Sequence, residues 1–134
     1  MPEVIVLDSH VWVWWITLEH HKLPADMVTA IEAAQRVGVS AVSCFELALA
    51  HARGRLELPL PPAEWFPHAL EGSGVELLPL TPAIATRAVS LSAIHRDPFD
   101  RIIIATALEV DARLASVDGN FPKYPELAGS LLGQ

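Results

Sequence analysis

Short apolar runs alternate along this chain with segments whose apolar residues recur at helical spacing. Val4-Ile-Val-Leu7 is an unbroken apolar run, mostly β-branched, of the kind that fits a strand covered on both faces. Ser9 is placed to cap a short helix through Ile16. Pro24 opens another from about Ala25 to Arg36, with Met27, Ile31 and Ala34 on one stripe. Val37 to Val42 reads as a second strand. Ser43-Cys-Phe-Glu46 has the form of a capping box, starting a helix that Gly54 can end. A further helix is expected between Pro62 and Leu70, and a third strand from Val75 to Leu78. Thr81-Pro82 opens a helix to about Leu91, carrying Ile84, Ala88 and Leu91 on one face.

The strongest periodicity follows Asp97-Pro98. Phe99, Ile102, Ile103, Thr106, Ala107 and Val110 share one face, and Ile104 and Leu108 make the other side apolar as well, so this helix should be buried nearly all round. Leu114-Ala-Ser-Val117 gives a short last strand. Strands separated by helices predict an α/β fold: a central parallel sheet with right-handed crossovers and helices on both faces, three layers in all.

At 134 residues the chain is expected to be one domain, 1–134, with one sizeable core. Hydrophobic residues make up 51% and charged residues 19%, which fits a compact fold and excludes a disordered one. The single cysteine, Cys44, leaves no internal disulfide and fits a reducing compartment. Asp8, Ser9 and His10 break the first apolar stretch, so it is no signal peptide. Nothing approaches the roughly 20 apolar residues of a membrane span, and a cytoplasmic location is expected. The net charge of −7 argues against a simple basic nucleic-acid binder, unless some of the acids are gathered in one pocket and neutralised by bound cations.

The positions of the acids bear on that choice. Asp8 directly follows the first strand, and Asp118 directly follows the last. Glu46 and Asp100 fall in first turns of helices. Ligands of open parallel sheets bind at the carboxyl ends of the strands, where all four should emerge. Four neighbouring carboxylates need protons or cations between them. Mg²⁺ or Mn²⁺ suits such hard oxygen donors, and the chemistry this equipment serves is phosphodiester hydrolysis. Each acid also has a plainer explanation. Glu46 completes a helix-start motif, Asp100 complements a helix dipole, and Asp8 and Asp118 are ordinary turn residues. Asp8 resists dismissal most, because it interrupts an apolar segment, where an unpartnered acid costs several kcal/mol.

Three segments carry a resemblance. Leu7-Asp8-Ser9-His10-Val11-Trp12, His95-Arg96-Asp97-Pro98-Phe99-Asp100-Arg101-Ile102-Ile103-Ile104-Ala105 and Ser116-Val117-Asp118-Gly119-Asn120-Phe121 resemble the PIN domain. More narrowly, they are similar to the toxins of the bacterial virulence-associated B and C toxin–antitoxin systems. The likeness runs over essentially the whole chain, and the Asp97-Pro98-Phe99-Asp100-Arg101 segment is its most specific part. It implies a PIN-like fold, with Asp8, Glu46, Asp100 and Asp118 as metal-binding and catalytic acids. Ser9 and Ser116 match small hydroxyl positions beside the first and fourth acids. It also implies an endoribonuclease using Mg²⁺ or Mn²⁺, cutting structured RNA such as transfer or ribosomal RNA, commonly a homodimer, and silenced by a cognate antitoxin.

Around the acids, Arg96 and Arg101 are candidates to clamp RNA phosphate, against the plainer reading of structural ion pairs, Arg101 with Asp97 among them. His10 and His95 stand beside catalytic-type acids as candidate proton carriers, though such histidines are more often hydrogen-bonded spacers. Trp12, Trp14 and Trp15 fit core or dimer packing better than base stacking. His20, His21, His51 and His68 lack zinc-ligand spacing with Cys44. Arg53 and Arg55 around Gly54 read as solvated, with contact to antitoxin or RNA as the alternative. Three other functions remain open: a PIN-type nuclease of RNA maturation without an antitoxin, a phosphoacceptor signalling domain, and a non-catalytic binding module. The phosphoacceptor reading lacks a lysine after a late strand, since the only lysines are Lys22 and Lys123.

Overall fold

A computed structural model describes residues 3–94 and 96–132. Five strands are β1 (Val4–Leu7), β2 (Arg36–Ser40), β3 (Val75–Leu78), β4 (Arg113–Ala115) and β5 (Leu131–Leu132). They form one sheet in the order β3-β2-β1-β4-β5, and every pairing is parallel. Six α-helices connect or cover them: α1 (Ser9–Ile16), α2 (Ala25–Ala33), α3 (Ala41–Ala52), α4 (Pro62–Leu70), α5 (Pro82–Ser90) and α6 (Pro98–Glu109). This is the α/β arrangement expected from the alternation of runs.

The pleat of β1 divides the core between two layers. Ile5 and Leu7 pack with Trp12, Met27, Leu47 and Trp65, from α1 to α4, on one face. Val6 packs with Ile103, Ile104 and Ala107 of α6 and with Phe121 and Leu127 on the other. Trp12 and Trp65 are fully buried, their ring centroids 5.1 Å apart. Burying one such ring contributes on the order of 2–3 kcal/mol. α6 is buried almost all round, as its two-sided apolar pattern requires. In β2, a methyl at Gly38 would approach Leu78 Cδ1 to 2.7 Å, so only glycine lets β3's side chain lie across the strand.

Several boundaries differ from those expected. α2 stops at Ala33, because Ala34 is already extended (ψ 142) and Arg36 opens β2 opposite Val4. β2 ends at Ser40, and that serine's side chain accepts from Val42 N to cap α3. Helix α3 therefore begins two residues before Ser43, and the capping box Ser43-x-x-Glu46 does not form: Glu46 lies in the second turn. Ser9 is the first residue of α1 and Asp8 its N-cap, with Asp8 Oδ1 accepting from Ser9 N at 2.8 Å. At the other end α3 stops where expected. Gly54 takes φ 71, and its N–H donates to His51 O at 3.0 Å. Strand β4 ends at Ala115 and is not the last, since the chain returns through two 3-10 turns, Phe121–Lys123 and Pro125–Leu127, to add β5.

Candidate metal centre

The carboxyl ends of β1 and β4 are tied together by a backbone bond from Asp8 N to Ala115 O, 2.9 Å. Immediately beyond them the chain turns outward and its acids converge. Asp8 is 7% exposed and Asp100 6%, both unusual for aspartate. Asp8 uses both oxygens: Oδ1 accepts from Ser9 N, and Oδ2 accepts from the Ser116 hydroxyl at 2.9 Å. Ser116 Oγ in turn accepts from Asp118 N at 3.0 Å, and Asp118 Oδ1 accepts from Asn120 N at 2.8 Å. One buried hydroxyl thus sets the first acid against the turn that carries the fourth. Asp118 is three residues beyond β4 rather than directly after a strand, and Ser116 closes that gap.

Glu46 reaches the group from α3. Ser9 Oγ lies 2.5 Å from Glu46 Oε1 and 2.8 Å from Ser43 Oγ, and Ser9 and Ser43 are fully buried. Ser9 has one proton to give, and the carboxylate is the stronger acceptor, so Ser43 is the donor between the two serines. Ser43 belongs to the site through this bond, although its sequence position pointed only to a helix cap.

Asp97 is the residue that sequence reasoning undervalued. As N-cap of α6, its Oδ1 accepts from Phe99 N at 2.8 Å and Asp100 N at 3.4 Å. Capping turns the carboxyl inward, and Glu46, Asp97 and Asp100 can each offer an oxygen such that all three lie within 4.8 Å of one another. The available signal was the pair of acids three apart at the start of a buried helix.

Crowding has the expected electrostatic result. Burial, then the neighbouring charges of Asp97, Asp8, Glu46 and Asp118, push the Asp100 carboxyl up to about 8. Burial also raises Asp8, against the lowering effect of its bonds from Ser116 and Ser9 N. Glu46 is raised chiefly by burial, opposed by its bond from Ser9. A site that strains to hold protons is one that a divalent cation would relieve. The donors are all carboxylate oxygens, the set that hard ions such as Mg²⁺ and Mn²⁺ prefer, and the residues fit such an ion.

The flanking cations are placed otherwise than expected. Arg101 faces α5: its guanidinium donates to the carbonyls of Ala88 (3.0 Å), Leu91 (2.8 Å) and Ser92 (3.0 Å), capping the end of that helix. A planar fork with five donors suits several carbonyls at once, which is a structural role of the kind set against the phosphate clamp. Arg96 is exposed and lines a groove of about 270 Å³ between α5 and α6, with Ala85, Val89 and Ile102. His10 is exposed on α1, 6.1 Å from the Trp14 ring, and near enough for its charge to favour ionisation of Asp8 and Glu46. The proton-carrier reading of His95 lies outside the described residues.

A parallel sheet between two helical layers, with an acid pocket at the strand ends, defines the class. Residues 5–127 match the PIN domain model, and the chain belongs to the PIN-domain family. Among individual proteins it is 39% identical over 115 residues to Ribonuclease VapC22 of Mycobacterium tuberculosis, spanning 85% of this chain and 86% of that one. Two solved structures share the fold at low identity. A chain of VapBC2 from Rickettsia felis, bound to a DNA fragment from its promoter, superposes with a TM-score of 0.67 at 13% identity, over 96% of each chain. A chain of DNA-bound VapBC from Salmonella typhimurium gives 0.63 at 17% identity, over 95% of this chain and 96% of the other.

Proposed function

We propose that this chain is a Mg²⁺- or Mn²⁺-dependent endoribonuclease, acting as one domain over residues 1–134 and serving as the toxin of a toxin–antitoxin pair. The observation that carries the nuclease reading is the cluster of Glu46, Asp97 and Asp100, whose oxygens lie within 4.8 Å of one another, with Asp8 and Asp118 close enough that their charges help to push the Asp100 carboxyl up to about 8. Its relative's name, Ribonuclease VapC22, supports RNA as the substrate, and the VapBC complexes that share the fold support a protein antitoxin as partner. Structured RNA, a homodimer and a cytoplasmic location complete the proposal. Among the described residues no helix is long and apolar enough to cross a membrane.

Asp8, Glu46, Asp100 and Asp118 would hold the cation, with Asp97 contributing one oxygen while the other caps α6. A divalent ion bound there supplies polarisation of the phosphodiester and a water of lowered pKa. The chain's own residues prepare the geometry. Ser116 and Ser9 N–H fix both oxygens of Asp8, so that carboxylate costs little further ordering when it is used. Ser43 and Ser9 hold Glu46 from below. Asp100, its carboxyl pushed up to about 8, would give up its proton to become a ligand, so binding of the ion would be favoured as pH rises.

The test is cleavage of total RNA by purified protein with Mn²⁺, with EDTA, and by Asp8→Asn. The wild type should cut only with the ion, and a folded Asp8→Asn protein should not cut at all. Equal cleavage by wild type and Asp8→Asn, free of contaminating nuclease, would refute the assignment.

A further inference from the structure

Two of the acids in the pocket are preceded directly by phenylalanine. Phe45 stands before Glu46 on α3, and Phe99 before Asp100 on α6. Their rings meet across the two helices, centroids 5.5 Å apart and planes tilted by 53°. Phe99 is half-buried, whereas Phe45 is 61% exposed. An aromatic ring that open to water on a helix rim gains little for folding. Its tilted contact with Phe99 nonetheless holds it in place, so it presents a braced, solvent-facing π surface.

The charge inventory shows why such a surface matters. Of the 9 lysines and arginines, Lys22, Arg36, Arg87 and Arg113 are paired with Glu19, Glu76, Glu109 and Glu3. Arg101 is committed to the carbonyls of α5. That leaves Arg53, Arg55, Arg96 and Lys123 to meet phosphate in a chain of net charge −7, so a contribution to polyanion affinity that does not depend on charge carries more weight here. Stacking of unpaired bases on aromatic rings is independent of net charge and contributes about 1–3 kcal/mol per base. The same two helices are bridged twice, by Glu46 and Asp100 with oxygens within 4.8 Å and by the rings 5.5 Å apart, which sets the ring pair beside the acids.

We propose that Phe45, braced by Phe99, is the stacking site for an unpaired nucleobase next to the scissile phosphate. The proposal rests on the nuclease reading above. An RNA base fits better than a protein side chain because the pair is continuous with the acid pocket, where the RNA backbone must lie.

The experiment uses the full chain and a hairpin RNA with an unpaired loop of mixed sequence, with single abasic residues placed at each loop position in turn. In wild type, one abasic position beside the cut should raise KM about tenfold. Phe45→Ala should raise KM by a similar factor on the intact RNA and erase the penalty of that abasic residue. Phe45→Trp should restore both, and Phe45→Leu, apolar but without a π face, should not. Mn²⁺ affinity, measured by calorimetry, should match wild type in all three variants. An abasic penalty of equal size in wild type and Phe45→Ala overturns the stacking site while cleavage itself leaves the nuclease reading intact. Unchanged KM on RNA, with weakened binding of a protein partner, would likewise overturn it and assign the pair to that partner. A wild-type chain that cuts no RNA removes both proposals together.

Discussion

Asp100→Asn is expected to make the metal-free protein more stable while destroying its ability to be stabilised by metal. The wild-type carboxyl has an ordinary value of 3.8 and is pushed to about 8 in the folded chain. Between those values the folded state holds a proton that the unfolded state has lost, so wild-type stability falls as pH rises through this window. Below the lower value both states are protonated and the site costs nothing. Above the upper one the penalty levels off. At pH 7 about three pH units are in play, which at about 1.4 kcal/mol each gives a ceiling of about 4 kcal/mol. Asp100 retains some exposure to solvent, and part of the shift comes from the charges of Asp97, Asp8 and Glu46, so about 2 kcal/mol is the expected gain for the variant. The amide keeps the shape of the protonated acid and does not titrate. Urea denaturation in EDTA, followed through the buried Trp12 and Trp65, should show coincident curves near pH 4 and a gap widening towards pH 8. Mn²⁺ at about a hundredfold over its Kd should then stabilise wild type by about 2.7 kcal/mol and the variant much less. Parallel pH curves in EDTA, or equal stabilisation of both proteins by Mn²⁺, would show that Asp100 neither bears the strain nor serves the ion.

The remaining expectations concern parts that support the site. Ser116→Ala removes the hydroxyl shared by Asp8 and Asp118 N, and should weaken Mn²⁺ affinity about tenfold with the fold retained; calorimetric titration giving the wild-type Kd would count against it. Arg101→Ala should lower stability by about 2 kcal/mol and speed amide exchange around residues 88–92, because the end carbonyls of α5 lose a charged donor. A loss confined to RNA binding, with exchange unchanged, would restore the phosphate-clamp reading. Gly38→Ala should cost about 1–3 kcal/mol in urea denaturation, as the new methyl drives Leu78 from its rotamer; a neutral substitution would mean that Leu78 moves aside freely.

Periodicity made the parallel sheet and the buried helix α6 legible, because long apolar patterns report burial whatever the tertiary details. The same patterns said little about where α3 begins. Ser40 and Ser43 are both acceptable caps, and only pairing of β2 with β3 as far as Ser40–Leu78 decides between them. β5 has two residues, too few for any period, and exists because β4 offers it an edge. At the site, acids next to apolar runs stood out, since burying them needs a reason. Asp97 did not, because an aspartate directly before a proline-led helix is accounted for as an N-cap without any further role. For Arg101 the sequence left a phosphate clamp and a structural role side by side, because the helix end whose carbonyls it meets is distant in pattern and visible only in the fold.

Asp8 and Ser116 are separated by 108 positions, and β1 finds β4 only near the far end of the sequence. During synthesis the amino-terminal half therefore emerges with Asp8 exposed and unsupported, well before Ser116 and Asp118 have been translated. The acid cluster is thus a late product of folding: a partial chain that stops short of β4 carries Asp8 without the hydroxyl 108 positions away that fixes its second oxygen.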